Sequence, residues 1–307
     1  MTKVSILMAV YNGQRFLQEQ LDSFVAQDGV DWSLTASDDG STDGSADIIA
    51  AFAALHPGRV EQVQGPRNGV AENFRHLLSF VPTSADFAAF SDQDDVWLPG
   101  KLSRAVSMLE KVTDGRPALY CSRTRIVSCD LGQRGLSRDI SRPPSFRNAL
   151  VQNIASGNTI VLNRAAVDLL QAAHAEAGPV PIHDWWAYQI IAGAGGEIVF
   201  DREPALLYRQ HGENSIGANA GLRSLRERVQ MTMRGRFASW HRMNTAALSA
   251  SSHRMTEANR QILTDFQNAL NTPSTLRRLK ALRQSGAYRQ TWTSNAALWV
   301  AAIINRL

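Results

Sequence analysis

Residues 86–97 read DFAAFSDQDDVW, an apolar run that leads directly into three carboxylates, Asp92, Asp94 and Asp95, within four positions. The apolar run predicts a buried β-strand. On an extended backbone alternate side chains share a face, so Asp92 and Asp94 point the same way while Gln93 points away. Two such carboxylates suit a hard divalent cation, Mg²⁺ or Mn²⁺. The alternative is a solvated acidic turn.

The chain before this cluster alternates between strand and helix patterns. VSILMAV (4–10) is a continuous apolar run, typical of a buried parallel strand, and QRFLQEQLDSFVAQ (14–27) has apolar residues at helical spacing. This alternation predicts an α/β fold, with a mainly parallel, Rossmann-like sheet and helices on both faces. YNG (11–13), SDDGSTDGS (37–45) and SDQDD (91–95) all follow predicted strands. We therefore expect them to meet at one crevice.

Composition bounds the class of protein. With 307 residues, 44% hydrophobic and 20% charged, the chain is typical of a soluble globular protein of one large or two modest domains. No apolar run has the length of a transmembrane helix, and the first apolar run is too short for a signal peptide. Cys121 and Cys129 lie on one predicted strand and cannot bridge without a fold-back, which favours a reducing, cytoplasmic compartment.

Three segments together carry a family resemblance. VSILMAVYNG (4–13), SDDGSTDGS (37–45) and SDQDDVWLPGKL (91–102) resemble, in order and spacing, the donor-binding elements of family 2 glycosyltransferases with the GT-A fold. The resemblance implies a GT-A fold and sugar transfer from a nucleotide-sugar donor, with a divalent metal at the diphosphate. It also implies that Asp94 binds the metal. The donor contacts that it implies are Ala9, Tyr11, Asn12, Asp38, Asp39, Asn68, Asp92 and Gln93.

Each donor contact has a structural alternative. Tyr11 can simply cover the edge of the sheet. Asp38 and Asp39 can form a helix-capping turn, a position that Ser, Thr and Asp favour. Asn68, in PRNGVAENF (66–74), can serve only to shape its Asn-Gly turn. These alternatives stay open at the level of the sequence.

HDWWAY (183–188) supplies the candidate catalytic base. Family 2 enzymes invert the anomeric centre by direct displacement, in which a carboxylate takes the proton of the attacking hydroxyl. The resemblance assigns this role to Asp184; the alternative for Asp184 is a helix N-cap. His183 stands where the family usually has Glu, and it is a candidate acceptor contact. Trp185 and Trp186 point about 100° apart on a helix. We expect one of them to stack on a sugar and the other to pack in the core.

Two further segments complete the predicted site. His211, in YRQHGENSIG (208–217), ends a predicted strand and can bind the metal or hydrogen-bond a phosphate; a structural role is the alternative. ASGNTIVLN (155–163) would place Gly157, Asn158 and Thr159 beneath the acceptor, and otherwise forms a strand-entry turn.

SDQDDVW, HDWWAY and LYRQHGENSIG in combination are similar to bacterial rhamnosyltransferases of polysaccharide assembly. The similarity implies dTDP-L-rhamnose as donor and a saccharide or lipid-linked saccharide as acceptor, in O-antigen-like synthesis. UDP-glucose and UDP-galactose are alternative donors. A nucleotidyltransferase would usually have a Gly-rich loop after the first strand, which is missing here, and a nucleic-acid-binding module conflicts with the acidic first 217 residues. No nucleic-acid partner is expected, and a homo-oligomer is compatible with the sequence.

Charge divides the chain into two regions. Residues 1–217, the predicted catalytic domain, hold 18 Lys and Arg against 25 Asp and Glu, whereas the helical residues 218–307 hold 14 against 3. The basic region suits an anionic membrane, which would place the protein peripherally at the cytoplasmic face of the inner membrane. LRRLKALRQ (276–284) and NAALWVAAIINRL (295–307) are candidate interfacial helices. The alternative is a subdomain whose Arg side chains pair with the acidic body.

Overall fold

A seven-stranded sheet forms the centre of the computed structural model, which describes residues 1–211 and 235–307. Its order is β10-β6-β9-β4-β1-β2-β3, and β9 alone runs against its neighbours. A second sheet has the order β5-β11-β7-β8. The strands are β1 (Lys3–Val10), β2 (Asp31–Asp38), β3 (Val60–Gln64), β4 (Phe87–Ser91), β5 (Val96–Trp97), β6 (Ala118–Ser122), β7 (Arg125–Val127), β8 (Gln133–Leu136), β9 (Val161–Asn163), β10 (Glu197–Asp201) and β11 (Leu206–Arg209).

Helices cover both faces of the large sheet, as the sequence predicts. The body carries α1 (Leu17–Val25), α2 (Ser45–Leu55), α3 (Val70–Leu77), α4 (Lys101–Leu109), α5 (Phe146–Ala149), α6 (Arg164–Glu176) and α7 (His183–Gly193). The described C-terminal region carries α8 (Arg236–Ala250), α9 (Glu257–Asn271), α10 (Thr275–Ser285) and α11 (Trp292–Ile303). Among these helices none combines the length and apolarity needed to cross a membrane.

Strand side chains alternate between two apolar cores because the side-chain period of a strand is two residues. Along β1, Ile6 and Met8 contribute to the core beneath α1, α2 and α4, whereas Leu7 contributes to the opposite core. That second core includes α3, α6 and α7, and it continues into the C-terminal helices through residues such as Phe266 and Leu298. The sheet is therefore buried on both faces, which explains the continuous apolar runs of its strands.

The register of the sheet brings the polar strand ends together. In β1, Val10 pairs with Asp38 of β2, and Met8 pairs with Ser91 of β4. The three strands are parallel, so their carboxyl ends leave the sheet at one edge. The segments that follow β1, β2 and β4 therefore start side by side.

The fold separates the two cysteines that the sequence analysis places on one strand. Cys121 and Cys129 do not share a strand: β6 ends at Ser122, and Arg123 N–H donates to Asp201 O (3.0 Å) where the chain leaves the large sheet for β7. Both cysteines are free. The expected domain boundary at 217/218 falls within 212–234 and so lies outside the described residues.

Candidate active site

The loops that follow β1 and β4 are joined by the side chain of Gln93. Tyr11 N–H donates to Gln93 Oε1 (2.8 Å), and Gln93 Nε2 donates to Tyr11 O (3.0 Å). A paired amide of this kind fixes the backbone of one loop against the other. Gln93 therefore positions Tyr11. The predicted direct contact of Gln93 with the donor stays a prediction.

Asn12 joins the loop after β1 to the loop after β2. Asn12 N–H donates to Ser41 Oγ (2.9 Å), and Asn12 Oδ1 accepts from Thr42 N–H (2.8 Å). Asn12 has a φ of 49°, a left-handed conformation that Asn tolerates better than most residues. These contacts and those of Gln93 hold the three loops at one crevice, as the strand pattern predicts.

The side chains of Asp38 and Asp39 shape backbone around the crevice. Asp38 Oδ1 accepts from the N–H groups of Gly40 (3.2 Å) and Ser41 (2.8 Å). These contacts are those of a turn, the structural alternative to donor binding for Asp38. Asp39 accepts from the N–H groups of Arg67 (2.6 Å) and Gly69 (3.1 Å), which fixes the loop that carries Asn68.

Solvent exposure differs among three predicted donor contacts, Tyr11, Asn68 and Ala9. The side chain of Tyr11 is 59% exposed, so it does not serve as buried cover for the sheet edge. Asn68 is exposed, and Ala9 is partly buried on β1 opposite Ser37. An exposed aromatic ring and an exposed amide beside fixed loops are available to a ligand, and their contact with a nucleotide stays a prediction.

The acidic cluster consists of Asp92, Asp94 and Asp95, whose carboxylates each place an oxygen within 4.8 Å of the others. Asp94 Oδ2 lies 2.7 Å from Nε2 of His211, so the structure brings together the two predicted metal ligands. Carboxylate oxygens with one imidazole form a donor set that suits Mn²⁺ or Mg²⁺. A cation bound by both groups would replace their present hydrogen bond.

The electrostatics of the cluster favour a cation. Burial, and after it the charges of Asp94 and Asp184, together raise the pKa of Asp92 to about 8, while Lys101 opposes the shift. The pKa of Asp95 is also raised, first by burial and then by its two neighbours. A divalent ion removes this repulsion and stabilises the ionised carboxylates. The residues present therefore fit the metal that the acidic motif implies.

Lys101 lies beneath the cluster at the start of α4. Its side chain is 2% exposed, and Nζ lies 3.3 Å from the centroid of the Trp97 ring, a cation–π arrangement. Burial lowers the pKa of Lys101, whereas Asp95 and Asp92 favour its charged form. Lys101 is thus a buried amine whose charged form the carboxylates of the acidic loop favour.

Asp184 lies in the first turn of α7 with both carboxylate oxygens held. Oδ1 accepts from Asn153 Nδ2 (2.9 Å), and Oδ2 accepts from the N–H of Gly157 (2.8 Å). The N-cap position belongs to Ile182, so Asp184 is not the cap that the alternative supposed. Burial raises its pKa to about 6, and the donors, Gly157 first, limit the rise. A fixed carboxylate with a pKa close to neutrality is suited to accept a proton.

A short 3-10 turn, Gly157–Thr159, connects the acidic loop to Asp184. Gly157 N–H donates to Asp184, and the next residue, Asn158, donates its amide to Asp95 Oδ2 (2.6 Å). Thr159 Oγ1 donates to Ser156 O (2.7 Å) within the turn. These contacts hold the two halves of the site together. The predicted acceptor contacts of the three turn residues stay predictions.

The two tryptophans of α7 differ from the expectation. Trp185 is 3% exposed and Trp186 is 1% exposed, so both pack in the core and neither presents a ring face to solvent. Trp185 Nε1 donates to Ala149 O (2.6 Å), and its ring meets Trp240 of α8 edge-on. The expected division between a sugar-stacking ring and a core ring fails because α8 covers the outer side of α7.

His183 is likewise internal. Its ring stacks on Phe74, with centroids 3.9 Å apart, and burial lowers its pKa to about 3. Within residues 1–211 and 235–307 neither ring nitrogen has a hydrogen-bond partner. The ring supports the turn at Gly157, and the predicted direct contact with an acceptor stays a prediction.

Three residues that build the site had no role in the sequence analysis. Asp95 was visible as the third carboxylate of the motif, but only the fold shows it bonded to Asn158. Arg209, 1% exposed, donates from Nε to Asp94 O (2.9 Å) and from Nη2 to Glu19 Oε2 (2.5 Å), and its N–H donates to Asp95 Oδ1 (3.2 Å). Asn153 carries no sequence signal, because its importance depends on a contact 31 residues away.

Comparison with known proteins defines the class. The family model described as "Glycosyl transferase family 2" matches residues 5–166, and the chain belongs to this family. The fold is GT-A: the chain superposes on S. aureus TarS in complex with UDP-GlcNAc with a TM-score of 0.56 and 15% identity, over 99% of this chain and 89% of that one. A mannosyltransferase from Pyrobaculum calidifontis, in complex with GDP-Man and Mn²⁺, gives 0.52 and 17%, over 99% and 86%.

One relative is similar over most of the sequence. The chain is 27% identical over 250 residues to the dTDP-rhamnosyl transferase RfbG of Shigella flexneri, which spans 79% of this chain and 83% of that protein. The chain is therefore similar, over most of both lengths, to a protein named for transfer from dTDP-rhamnose. The glycosyltransferase class follows from the family.

Proposed function

We propose that this protein is a metal-dependent, inverting glycosyltransferase that moves L-rhamnose from dTDP-L-rhamnose to a saccharide or lipid-linked saccharide, in the synthesis of an O-antigen-like cell-surface polysaccharide. One observation carries the proposal: the Gly157–Thr159 turn connects Asp184 to the acidic cluster through adjacent residues. A carboxylate of raised pKa and a candidate cation site are thereby fixed in one crevice. The similarity to RfbG supports rhamnose, and UDP-glucose and UDP-galactose are the alternative donors.

The chemistry divides between two groups of side chains. Asp184 takes the proton of the acceptor hydroxyl while that oxygen forms its bond to the anomeric carbon and the bond from this carbon to the diphosphate breaks. Asp92, Asp94 and His211 would hold the divalent ion, which supplies positive charge to the departing diphosphate. Asn153 and Gly157 orient the carboxylate of Asp184 toward its task. Tyr11, Asn12, Asp39 and Asn68 would bind the nucleotide.

Its place in the cell is part of the same proposal. We place the protein at the cytoplasmic face of the inner membrane, in peripheral contact with anionic lipid. The free cysteines Cys121 and Cys129 are consistent with a reducing compartment. Membership of family 2 argues against the nucleotidyltransferase and nucleic-acid-binding alternatives.

Donor and metal can be tested together by thermal shift. Purified protein is titrated with dTDP-L-rhamnose, UDP-glucose, UDP-galactose and GDP-mannose, with and without Mn²⁺. We expect Mn²⁺-dependent stabilisation by dTDP-L-rhamnose alone. Equal responses to all four donors would overturn the rhamnose assignment, and a response that EDTA leaves intact would overturn the metal assignment.

Matched variants separate the two carboxylate roles. Asp94→Asn should remove the metal-dependent response to the donor, whereas Asp184→Asn should keep that response and lower the transfer rate by about 10²–10⁴-fold, the usual contribution of a general base. Asp168→Asn, on the exposed face of α6, is the control and should resemble wild type. Full transfer activity in Asp184→Asn would contradict its role as base.

A further inference from the structure

The outward face of α11 carries an unusual surface. Trp292, Ala296, Trp299, Val300 and Ile303 are all exposed, and their spacing places them on one side of the helix; we call this set the apolar stripe. Trp292 is 81% exposed and Ile303 is 53% exposed. The opposite side of α11, through Leu298, Ala301 and Ala302, is buried in the core.

The first turn of α10 extends this surface. Arg278 is buried and donates to Ala302 O (2.9 Å), which brings the start of α10 beside the end of α11. Leu276, 81% exposed, lies two residues before this contact, and its neighbours Arg277 and Lys280 are also exposed. Exposed apolar and basic side chains thus occur on the part of α10 that adjoins the end of α11.

The segment that carries the stripe has charges of a single sign. No Asp or Glu follows Asp265, whereas Arg and Lys occur at six later positions, of which four are exposed: Arg277, Lys280, Arg283 and Arg306. In the part of the chain that the structure describes, no acidic side chain pairs with any of these four. The alternative that the basic region neutralises itself on the acidic body applies to Arg254, which binds Glu176 (2.5 Å), and not to this surface.

The charge decides between a second copy of the chain and a lipid surface. A two-fold dimer through the stripe would set the basic rim of one copy against the basic rim of the other, because a two-fold interface pairs a patch with itself. An anionic bilayer offers negative charge to the rim and apolar acyl chains to Trp292 and Ile303. The 12 residues of α11 span about 18 Å, less than the roughly 30 Å hydrocarbon layer, so the helix can lie only along the interface.

We infer that α11 and the first turn of α10 form the membrane-docking surface of this protein, and that the surface binds anionic lipid bilayers. The surface is joined to the candidate active site. Gln290, just before α11, donates its N–H to Gln152 Oε1 (2.8 Å), and the next residue, Asn153, binds Asp184. Docking through α11 would therefore bring the side of Asp184 toward the membrane, where a lipid-linked acceptor resides. The inference deepens the peripheral membrane contact of the proposed function, and this last step rests also on the proposed sugar transfer.

Vesicle co-sedimentation of the full chain tests the inference without donor or acceptor, so its result is independent of sugar transfer. Wild-type protein should bind vesicles of phosphatidylcholine with phosphatidylglycerol, bind phosphatidylcholine alone much more weakly, and dissociate as salt is raised. Trp292→Ser with Ile303→Ser should weaken binding by about tenfold or more, because their apolar area no longer enters the bilayer. Lys280→Gln should weaken binding by about fivefold, the equivalent of one basic residue at an anionic surface.

Matched controls come from the catalytic body. Leu55→Ser with Leu136→Ser changes two side chains of similar exposure, 77% and 44%, and Lys111→Gln removes an exposed charge from the body; both should bind as wild type. Absence of wild-type binding to anionic vesicles, or unchanged binding after loss of Trp292 and Ile303, would overturn the inference. So would a dimer in light scattering that the Trp292 and Ile303 variant dissociates, since the stripe would then belong to a second copy.

Discussion

Asp184 shows how single contacts set the chemistry of this site. Its carboxylate is buried enough for its pKa to rise to about 6, yet it retains hydrogen bonds from Asn153 and Gly157 that keep the charged form accessible. Without those donors the same burial would favour a protonated, inactive acid. The proton affinity of the proposed base is thus a balance between burial and several hydrogen-bond donors, among them Gly157 and Asn153 from a neighbouring segment.

The pH dependence of transfer follows from this balance. A base must be ionised, so kcat/KM should fall as the pH drops below about 6. Asn153→Ala removes a donor that stabilises the ionised form, so the pKa of Asp184 rises and the acid limb should move upward by about one pH unit. Initial rates measured across pH for wild type and for Asn153→Ala locate the acid limb of each protein. Uniform loss of activity with an unmoved limb would mean that Asn153 acts only on the structure of its loop.

At the scale of elements, the Gly157–Thr159 turn is the part on which the site depends. It contacts the acidic loop through Asn158 and α7 through Gly157, which also lies against the ring of His183. A Cβ at Gly157 would lie 2.8 Å from His183 Nε2 and 3.4 Å from Asp184 Cβ. The glycine is therefore required by close approach, because its N–H must reach Asp184 past the imidazole ring.

Gly157→Ala tests this close approach. The added methyl must displace either the turn or the ring of His183, so we expect at least a tenfold loss in kcat and a loss of about 1–3 kcal/mol in unfolding free energy. Gly178→Ala is the matched control, since a Cβ there meets nothing within 4 Å, and it should leave both quantities close to wild type. Transfer rates and urea denaturation supply the measurements; equal behaviour of the two variants would show that the turn adapts freely.

At the scale of the whole molecule, the C-terminal helices share a core with the catalytic body. A single apolar cluster contains Leu7 of β1 and Phe74 of α3 together with Phe266 of α9 and Leu298 of α11. The charge asymmetry between residues 1–217 and 218–307 thus does not correspond to separate apolar cores in the described chain. We propose that both regions unfold as one unit, because neither can expose this cluster alone without a large hydrophobic cost.

Core variants in the C-terminal region can test this proposal. Phe266→Ala empties a fully buried position and should destabilise the protein by about 3–5 kcal/mol, whereas Leu276→Ala, at an exposed position, should change stability by less than about 0.5 kcal/mol. Unfolding followed by far-UV circular dichroism should show one transition. Donor binding should raise the midpoint of that same transition. A separate early transition for the C-terminal helices, with donor binding intact, would contradict a single unit.

The sequence by itself determined the alternation of strands and helices, the polar segments at the strand ends, and the identities of Asp92, Asp94 and Asp184 as candidates. These are local signals, because side-chain period and motif spacing are written within a few residues. Tertiary structure decided which partners they meet: Asn153 at Asp184, Arg209 at Asp94, and His183 against Gly157 arise from contacts between distant segments. It also decided that Trp185 is buried and which side of α11 faces solvent. NAALWVAAIINRL is apolar around most of its circumference, so only packing against α10 and the core could show which of its sides is buried and which faces outward.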